Sequence, residues 1–266
     1  MKGRVLIIAG SDSSGGAGIQ ADIKTVTVLG GYAATAITAL TAQNTRGVFG
    51  VLGIDPAFIL QQAELMLDDI GADAIKTGML HSVPVIEAVA QLLDGKAKGL
   101  PAVIDPVMIS QSGSRLLNED AVDSLIRLMV PRATVLTPNI PEAEVLSGLK
   151  ITSETDMIAA AEKIGAMGAR AVLVKGGHAE GEKIVDILWR KDGVIEGFED
   201  DRIPSENNHG TGCSLASAIA TGLAQGMSLS DSVARSRAFV REAIRTAPNF
   251  GKGNGPLNHA HPVTGE

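Results

Sequence analysis

The stretch Arg4–Leu40, RVLIIAGSDSSGGAGIQADIKTVTVLGGYAATAITAL, contains a strand, a glycine-rich loop, a helix and a second strand in succession. The runs Arg4–Ala9 and Tyr32–Ala39 are rich in aliphatic and β-branched residues on both faces, which is typical of parallel strands buried between two layers of helices. Gly18–Leu29, between them, has the pattern of a helix. The stretch therefore predicts a βαβ unit in a parallel sheet.

The same alternation continues along the chain. It predicts further strands at Ala74–Lys76, Ala102–Ile104, Thr134–Leu136, Ala171–Lys175 and Lys183–Trp189. It predicts further helices at Ala57–Ile70, Val85–Leu93, Glu119–Met129, Thr155–Met167, Cys213–Gln225 and Ser230–Thr246. Because no linker, low-complexity stretch or internal repeat interrupts this order, we expect a single α/β domain over residues 1–266, with a mostly parallel sheet flanked by helices on both faces.

The composition limits the classes of partner. The chain is 45% hydrophobic and only 3% aromatic, so its core is built from Ala, Val, Ile and Leu. A net charge of −7 argues against a protein that binds nucleic acid or a membrane surface, since both need a basic face. One cysteine allows no intramolecular disulfide, and no apolar run has the length of a signal-peptide core or a membrane span, so we expect a cytoplasmic protein.

The glycine-rich loop after the first strand raises the possibility of a dinucleotide site, because Gly16-x-Gly18-x-x-Ala21 follows a strand. That motif needs an acidic residue about 20 positions further on to bind the ribose. No acidic residue lies between Asp22 and Asp55, so a nicotinamide-dependent dehydrogenase is disfavoured. A P-loop enzyme is excluded because Gly-x-x-x-x-Gly-Lys-Ser/Thr does not occur in the chain.

Polar side chains follow several predicted strands, where ligands of open α/β sheets collect. Asp105 and Glu142 could hold Mg²⁺ together, or they could serve as an ordinary turn cap and an acid in a helix first turn. Lys175, followed by two glycines, could reach a phosphate. Gln43 carries a donor and an acceptor that suit a heterocycle edge, although an amide there is also a common turn former. Met79 could pack on a flat ring or fill core.

The turn His209-Gly210-Thr211-Gly212-Cys213 leads directly into a helix of small residues. Its glycines let the backbone approach a ligand, and the first N–H groups of the helix are available to an anion. The helix dipole lowers the pKa of a thiol in its first turn, which makes Cys213 a candidate base or nucleophile. An isolated buried cysteine is also commonly inert core. A ligand-binding module without catalysis would not need this cysteine or a pair of acids.

Taken together, these motifs resemble the ribokinase-like superfamily, and within it the bacterial hydroxymethylpyrimidine/phosphomethylpyrimidine kinase family of thiamine biosynthesis. The matching stretches occur in family order over nearly the whole chain: AGSDSSGGAGIQAD (9–22), ITALTAQNT (37–45), KTGM (76–79), DPVM (105–108), TPNIPEA (137–143), VKGGH (174–178) and HGTGC (209–213).

The resemblance implies a three-layer ribokinase-like fold, ATP and Mg²⁺ as cofactors, and two successive phosphorylations of 4-amino-5-hydroxymethyl-2-methylpyrimidine. The implied pyrimidine-binding residues are Gly10, Asp22, Gln43, Met79 and Val107. The implied residues for ATP phosphates are Asn139, Lys175 and Thr211, with Asp105 and Glu142 on the magnesium side. Gly210, Thr211 and Gly212 are implied as the anion hole and Cys213 as the base, in the position where sugar kinases carry aspartate. A homodimer is also implied.

Pyridoxal kinase of the same superfamily is the alternative. Members that are efficient with pyridoxal resemble a design with a second cysteine in the flap after Asp-Pro-Val-Met. Here the flap reads ISQSGSR (109–115) and contains no cysteine. The sequence therefore favours the pyrimidine as substrate.

Overall fold

The structure is a computed structural model that describes residues 1–108, 117, 121–178 and 181–264. In this part of the chain, nine strands form one sheet. The strands are β1 (Arg4–Asp12), β2 (Tyr32–Asn44), β3 (Gly47–Gly53), β4 (Ala74–Thr77), β5 (Ala102–Ile104), β6 (Val135–Leu136), β7 (Ala171–Val174), β8 (Lys183–Arg190) and β9 (Ile195–Asp201). Every predicted strand is thus confirmed, with ends that differ by a few residues.

The described helices alternate with these strands. They are α1 (Gly18–Val28), α2 (Pro56–Asp69), α3 (Val83–Asp94), α4 (Ala121–Ser124), α5 (Ile140–Ser147), α6 (Glu154–Ala166), α7 (Thr211–Ala224), α8 (Leu229–Arg245) and α9 (His261–Thr264). A π-helical turn, Leu125–Met129, continues α4, so the helix predicted over Glu119–Met129 is irregular in its described part. Its first residues, 119 and 120, lie outside the described residues.

The order of strands in the sheet is β3-β2-β1-β4-β5-β6-β7-β8-β9. The six strands from β2 to β7 in this order are parallel to one another, whereas β3, β8 and β9 are added to the two ends in antiparallel pairs. The predicted mostly parallel sheet is therefore confirmed. Because the parallel strands all point the same way, the segments that leave their carboxyl ends meet at one edge of the sheet.

Alternate residues of β1 bury against different helix layers. Leu6 and Ile8 belong to a core cluster that includes residues of α2, α3 and α6, while Val5 and Ile7 belong to a second cluster with α1, α7 and α8. All four side chains are fully buried. A strand that is apolar on both faces needs a cover on both faces, and this produces the predicted three-layer sandwich.

Two strands, β3 and β9, and two helices, α5 and the four-residue α9, were absent from the predicted set. β3 contains three glycines in seven residues and β9 contains four acidic residues in seven, so neither has a strong strand pattern. Both are antiparallel strands outside the buried parallel set. The longer missed helix, α5, begins with a capping box between Asn139 and Glu142, in which each side chain bonds the backbone N–H of the other residue.

Three predictions about organisation have different outcomes. The single domain over residues 1–266 stays a prediction. The flap at 109–115 lies outside the described residues. In the part of the chain that the structure describes, no helix is both long and apolar enough to cross a bilayer.

Candidate active site

A cleft of about 530 Å³ opens at the carboxyl ends of the parallel strands. Twelve of the thirteen residues predicted for the site line it: Gly10, Gln43, Met79, Asp105, Val107, Asn139, Glu142, Lys175, Gly210, Thr211, Gly212 and Cys213. They come from segments far apart in sequence, and the common direction of the strands brings them together. Their roles toward particular ligands remain predictions.

Asp22 is the exception, because the structure does not bring it to the cleft. Its side chain is fully buried, and both carboxylate oxygens lie 2.8 Å from the Nζ atom of Lys76. Ser217 of α7 also donates a hydrogen bond to Asp22, over 2.7 Å. The predicted direct contact between Asp22 and the pyrimidine is therefore corrected: Asp22 faces inward from α1 and holds a lysine.

Lys76 lies between Asp22 and the cleft. The residue is fully buried, yet it lines the cleft. Gly78 leaves room for the ammonium group, since a Cβ atom on Gly78 would lie only 3.1 Å from Lys76 Nζ. Burial by itself lowers the pKa of Lys76, but the charges of Asp22, Cys213 and Asp105 and the hydrogen bond to Asp22 together outweigh burial and raise the pKa. An ammonium group has three donors. Two of them bond Asp22, and within the described residues the third has no protein acceptor.

Cys213 occupies the first turn of α7 and lines the same cleft. The sequence predicted a lowered pKa for this thiol, and this is wrong: burial raises the pKa to about 11, and the nearby charge of Lys76 only partly counters it. The backbone N–H of Gly18 also donates to the thiol and favours its ionised form. The effect of burial on the pKa is larger than that of the helix dipole, because removing a thiolate from water costs more free energy than its interaction with one helix end contributes.

The turn before α7 has the shape of an anion site. Gly210 has φ of +88°, and a Cβ there would lie 1.9 Å from the carbonyl oxygen of Gly16, so only glycine fits. Thr211 N–H donates to Asn208 O over 3.3 Å, whereas the N–H groups of Gly212 and Cys213 have no acceptor in the described part of the chain. The donors that point to a ligand are therefore those of Gly212 and Cys213.

A lysine and a carboxylate flank this turn. Lys175 Nζ lies 3.1 Å from Asp105 Oδ1, which also accepts a hydrogen bond from Thr137 Oγ1 over 3.0 Å. A Cβ on Gly212 would lie 3.3 Å from Lys175 Nζ and 3.7 Å from Asp105 Oδ2. The positive charge of Lys175 therefore lies beside the unpaired N–H groups of the turn, which is the arrangement that a phosphate group requires.

Glu142 serves both the local fold and the cleft. Its Oε2 accepts the backbone N–H of Asn139 over 2.9 Å, while Asn139 Oδ1 accepts the N–H of Glu142 over 2.9 Å. Burial raises the pKa of Glu142 to about 7; Lys175 lowers it and Asp105 adds to the rise. A cation bound near Asp105 and Glu142 would relieve this repulsion between carboxylates.

The donor set fits Mg²⁺ as an ion held mainly by a nucleotide. Asp105 Oδ2 makes no hydrogen bond among the described residues and points at the cleft near Gly212. No group of three or more acidic, histidine or cysteine side chains in the described part of the chain is arranged to hold a metal. One or two carboxylates suffice for Mg²⁺, since it usually keeps waters and phosphate oxygens as its other ligands.

Gln43 reaches the cleft from the end of β2. The Oγ atom of Ser13 bonds both the carbonyl and the N–H of Gln43, over 3.0 and 2.9 Å. Its side-chain amide lies between Thr41 Oγ1, at 3.3 Å, and the Nε2 atom of His209, at 3.1 Å. His209 Nε2 in turn lies 2.8 Å from Asp12 Oδ2. Gln43 is thus held by its main chain and by its side chain.

Sequence reasoning missed several residues of this site. Asp12, the ring of His209 and Lys76 lie within the motifs, but the sequence predicts no role for them. The buried Oδ1 atom of Asn208 lines the cleft without a partner in the described residues. No periodic pattern in the sequence identifies these positions. The available signal is that each of them lies next to a turn predicted to bind a ligand.

His259, in the segment that follows α8, is buried against the first turn of α7. It is 5% exposed, and its Nε2 lies 2.8 Å from Ser214 Oγ in the first turn of α7. Burial lowers its pKa to about 4, so its ring is neutral. His261 is half-buried and stacks near Phe239. His259 therefore supports the anion turn, whereas His261 contacts α8.

Comparison with known sequences gives a consistent picture. Residues 12–258 match the family model described as phosphomethylpyrimidine kinase. The chain is 49% identical over 259 residues to the thiamine biosynthesis bifunctional protein ThiED of Geobacter sulfurreducens, which covers 97% of the chain but only 52% of that protein. It is 44% identical to the hydroxymethylpyrimidine/phosphomethylpyrimidine kinase of Rhizobium meliloti, over 96% of both chains.

Solved structures share the fold. The ADP complex of Bacillus subtilis pyridoxal kinase superimposes with a TM-score of 0.90 at 37% identity, covering 98% of both chains. The phosphomethylpyrimidine kinase of Clostridium difficile superimposes with a TM-score of 0.81 at 43% identity, covering 91% of this chain and 100% of that one. These neighbours have the ribokinase-like architecture that the sequence predicted.

Proposed function

Because the chain belongs to the phosphomethylpyrimidine kinase family, we propose that it uses ATP to phosphorylate 4-amino-5-hydroxymethyl-2-methylpyrimidine to its monophosphate and then to its diphosphate, in thiamine biosynthesis. The observation that carries this proposal is one cleft that combines an anion turn, a phosphate-side lysine and an amide suited to a heterocycle. ATP is the phosphoryl donor, in keeping with the ADP complex of a structural neighbour.

The phosphate side of the cleft is formed by the turn before α7 and the loop after β7. We assign the ATP phosphates to Lys175, Asn139 and the turn around Thr211, because a cation and unpaired N–H groups adjoin there. Asp105 and Glu142 are the residues that would hold Mg²⁺. The ion, when bound, compensates charge on the transferred phosphoryl group.

The chain's own groups handle the proton of the first step. The hydroxymethyl oxygen forms a bond to the γ-phosphorus, the bond from that phosphorus to the bridging oxygen of ATP breaks, and ADP leaves. The hydroxyl proton passes to the ionised sulfur of Cys213. Lys76 supports this role because its charge lowers the pKa of the thiol that burial has raised. In the second step the acceptor is a phosphate that is already ionised, so no such base is needed.

One assay tests the proposed function. The purified protein is incubated with ATP, Mg²⁺ and the aminopyrimidine, and ADP, the monophosphate and the diphosphate are followed by chromatography. We expect both phosphorylated products in order, with one ADP for each phosphoryl transfer. A protein that binds the pyrimidine but forms no ADP would be a binding module, and the proposal would fail.

Gln43→Leu is expected to raise the KM for the aminopyrimidine while the KM for ATP stays nearly constant. Loss of a buried hydrogen-bond partner costs about 1–3 kcal/mol, which corresponds to roughly a 5- to 150-fold change. Steady-state kinetics with each substrate varied in turn measures both constants. An unchanged KM for the pyrimidine would remove Gln43 from the binding site.

Pyridoxal phosphorylation is the second candidate, since pyridoxal kinases superimpose closely on this chain. The sequence relatives named hydroxymethylpyrimidine/phosphomethylpyrimidine kinase are nevertheless more similar, at 42–44% identity against 35–37% for the pyridoxal kinases. Together with the absence of a flap cysteine, this favours the pyrimidine. The same assay with pyridoxal gives the ratio of the two activities.

A homodimer and a cytoplasmic location complete the proposal. The edge strand β3 supports a dimer, because Phe49 and Leu52 expose 72% and 64% of their surface next to an open strand edge. Light scattering is expected to give the mass of two chains for the unmodified protein and of one chain for Phe49→Lys/Leu52→Lys. A single-chain mass for the unmodified protein would contradict the dimer.

The lone cysteine supports a reducing compartment, in keeping with the proposed cytoplasmic location.

A further inference from the structure

Asp12, at the end of β1, has its carboxylate surrounded by donors. Ser14 N–H and Ser14 Oγ donate to Oδ1 over 2.8 and 2.7 Å, and Ala17 N–H donates to Oδ2 over 2.8 Å. A group that accepts from all sides is an ionised carboxylate. Burial alone would raise the pKa of Asp12, but these hydrogen bonds and that from His209 lower it to about 2.

The charge on Asp12 determines the protonation of the facing histidine nitrogen. His209 Nε2 lies 2.8 Å from Asp12 Oδ2, and an ionised carboxylate only accepts, so Nε2 carries a hydrogen and donates it. The ring has little freedom to move away. It is 7% exposed, and a Cβ on Gly16 would lie 2.4 Å from its Cδ2 atom.

A donating Nε2 determines how the Gln43 amide is oriented. With its amide nitrogen toward His209, Gln43 would set two donors against each other at 3.1 Å. The contact of the amide with Thr41 favours the same orientation, with the carbonyl toward His209. Thr41 Oγ1 has one hydrogen, and Ser11 O at 3.0 Å is a closer acceptor for it than Gln43 at 3.3 Å. No donor faces a donor when the carbonyl faces His209, where the Gln43 oxygen shares the single Nε2 hydrogen with Asp12 Oδ2. The NH₂ group then faces Thr41 and donates to its Oγ1 atom.

We propose that Asp12 and His209 form a positioning pair that holds the Gln43 amide with its carbonyl inward, so that its NH₂ group donates to a ring nitrogen of the aminopyrimidine. This inference rests on the proposed function, in which Gln43 binds the pyrimidine. The positioning pair makes the cleft selective for a heterocycle with a hydrogen-bond acceptor facing the Gln43 NH₂ group. A ring with a donor at that position would place two donors against each other.

The test is a set of kinetic measurements in which the KM for the aminopyrimidine and the KM for ATP are determined separately. His209→Leu is expected to raise the KM for the pyrimidine by roughly 5- to 150-fold, the range for loss of a buried hydrogen-bond partner. His209→Gln, which keeps an N–H near the position of Nε2, is expected to restore most of the affinity. The matched control is His261→Leu, since this histidine bonds a backbone carbonyl away from the cleft.

Two further variants separate positioning from general damage to the turn. In the Gln43→Leu background, His209→Leu is expected to add little, because the pair acts through Gln43. Gln43→Glu keeps an oxygen for His209 but loses the NH₂ donor, so it is expected to bind the pyrimidine as weakly as Gln43→Leu. A Gln43→Glu variant with the original KM would overturn the proposed orientation.

The remaining outcomes are also decisive. If Gln43→Leu raises the KM and His209→Leu does not, the positioning pair is wrong and the binding role of Gln43 stands. If Gln43→Leu has no effect, the proposed pyrimidine site itself is wrong. Equal increases in the KM for ATP and for the pyrimidine in His209→Leu, with no rescue by His209→Gln, would mean that His209 only shapes the anion turn.

Discussion

Cys213→Ala is expected to slow the first phosphorylation by about 10²–10⁴-fold, the range of general-base catalysis, and to leave the second within about tenfold. The acceptor of the first step is an alcohol, which must lose a proton as its bond to phosphorus forms. The acceptor of the second step is a phosphate with a pKa near 6, and it is ionised already at neutral pH. Single-turnover measurements starting from the alcohol and from the monophosphate give the two rates independently.

The pH dependence sharpens this expectation. The pKa of Cys213 is about 11, so the thiol is mostly protonated at neutral pH and the required thiolate increases as the pH rises. The rate of the first step should therefore rise about tenfold per pH unit across the neutral range, while the second step lacks this dependence. Cys213→Ser is the control for shape, because it keeps a small polar side chain but is a much weaker acid. Equal losses in both steps in the two variants would make Cys213 a structural part of the turn.

Lys76→Met is expected to destabilise the fold by about 3–5 kcal/mol, because it leaves the carboxylate of Asp22 buried without its cation. Asp22 and Lys76 have no exposed side-chain surface, and within the described part of the chain the remaining donor to Asp22 is the hydroxyl of Ser217. Replacing both partners in Lys76→Met/Asp22→Leu should recover most of this loss, since an apolar pair creates no unpaired charge. Urea unfolding of the single and double variants gives the free energies and their coupling.

The matched control for Lys76 is an ion pair at the surface. Lys96 bonds Asp68 over 2.6 Å, but the two side chains are 43% and 62% exposed. Water and salt screen such a pair, so Lys96→Met should move the urea midpoint far less than Lys76→Met. A small effect of Lys76→Met, similar to that of Lys96→Met, would mean that Asp22 takes up a proton or finds another partner when the lysine is lost.

Most of the sheet could be read from local pattern. The parallel strands lie between two helix layers and must be apolar on both faces, and this makes runs such as Arg4–Ala9 recognisable. The strands β3 and β9 lie outside the parallel set and have one open or solvent-facing side, so glycines and acids replace the pattern. Local sequence therefore predicts the buried strands and misses those at the edges.

The sequence also predicted which residues lie near the site, but not the direction in which each side chain points. Residues that directly follow a parallel strand, such as Asp105 and Lys175, were expected to meet because the strand ends share one edge of the sheet, and they line one cleft. Asp22 follows no strand; it lies within α1, and the rotation of that helix turns it to Lys76 and away from the cleft. A motif states which residues are near a site, but it does not state which way each one faces.

The sequence by itself determined the order of the layers, the edge of the sheet where the ligand groups collect and the types of those groups, because they depend on periodicity and on the common direction of parallel strands. Only the tertiary structure decided the chemical state of the groups. The depth of burial raises the pKa of Cys213 against the helix dipole, and the contact of Asp12 with His209 determines which end of the Gln43 amide faces the cleft. Solvation and hydrogen-bond partners come from segments far apart in the chain, so no local pattern contains them.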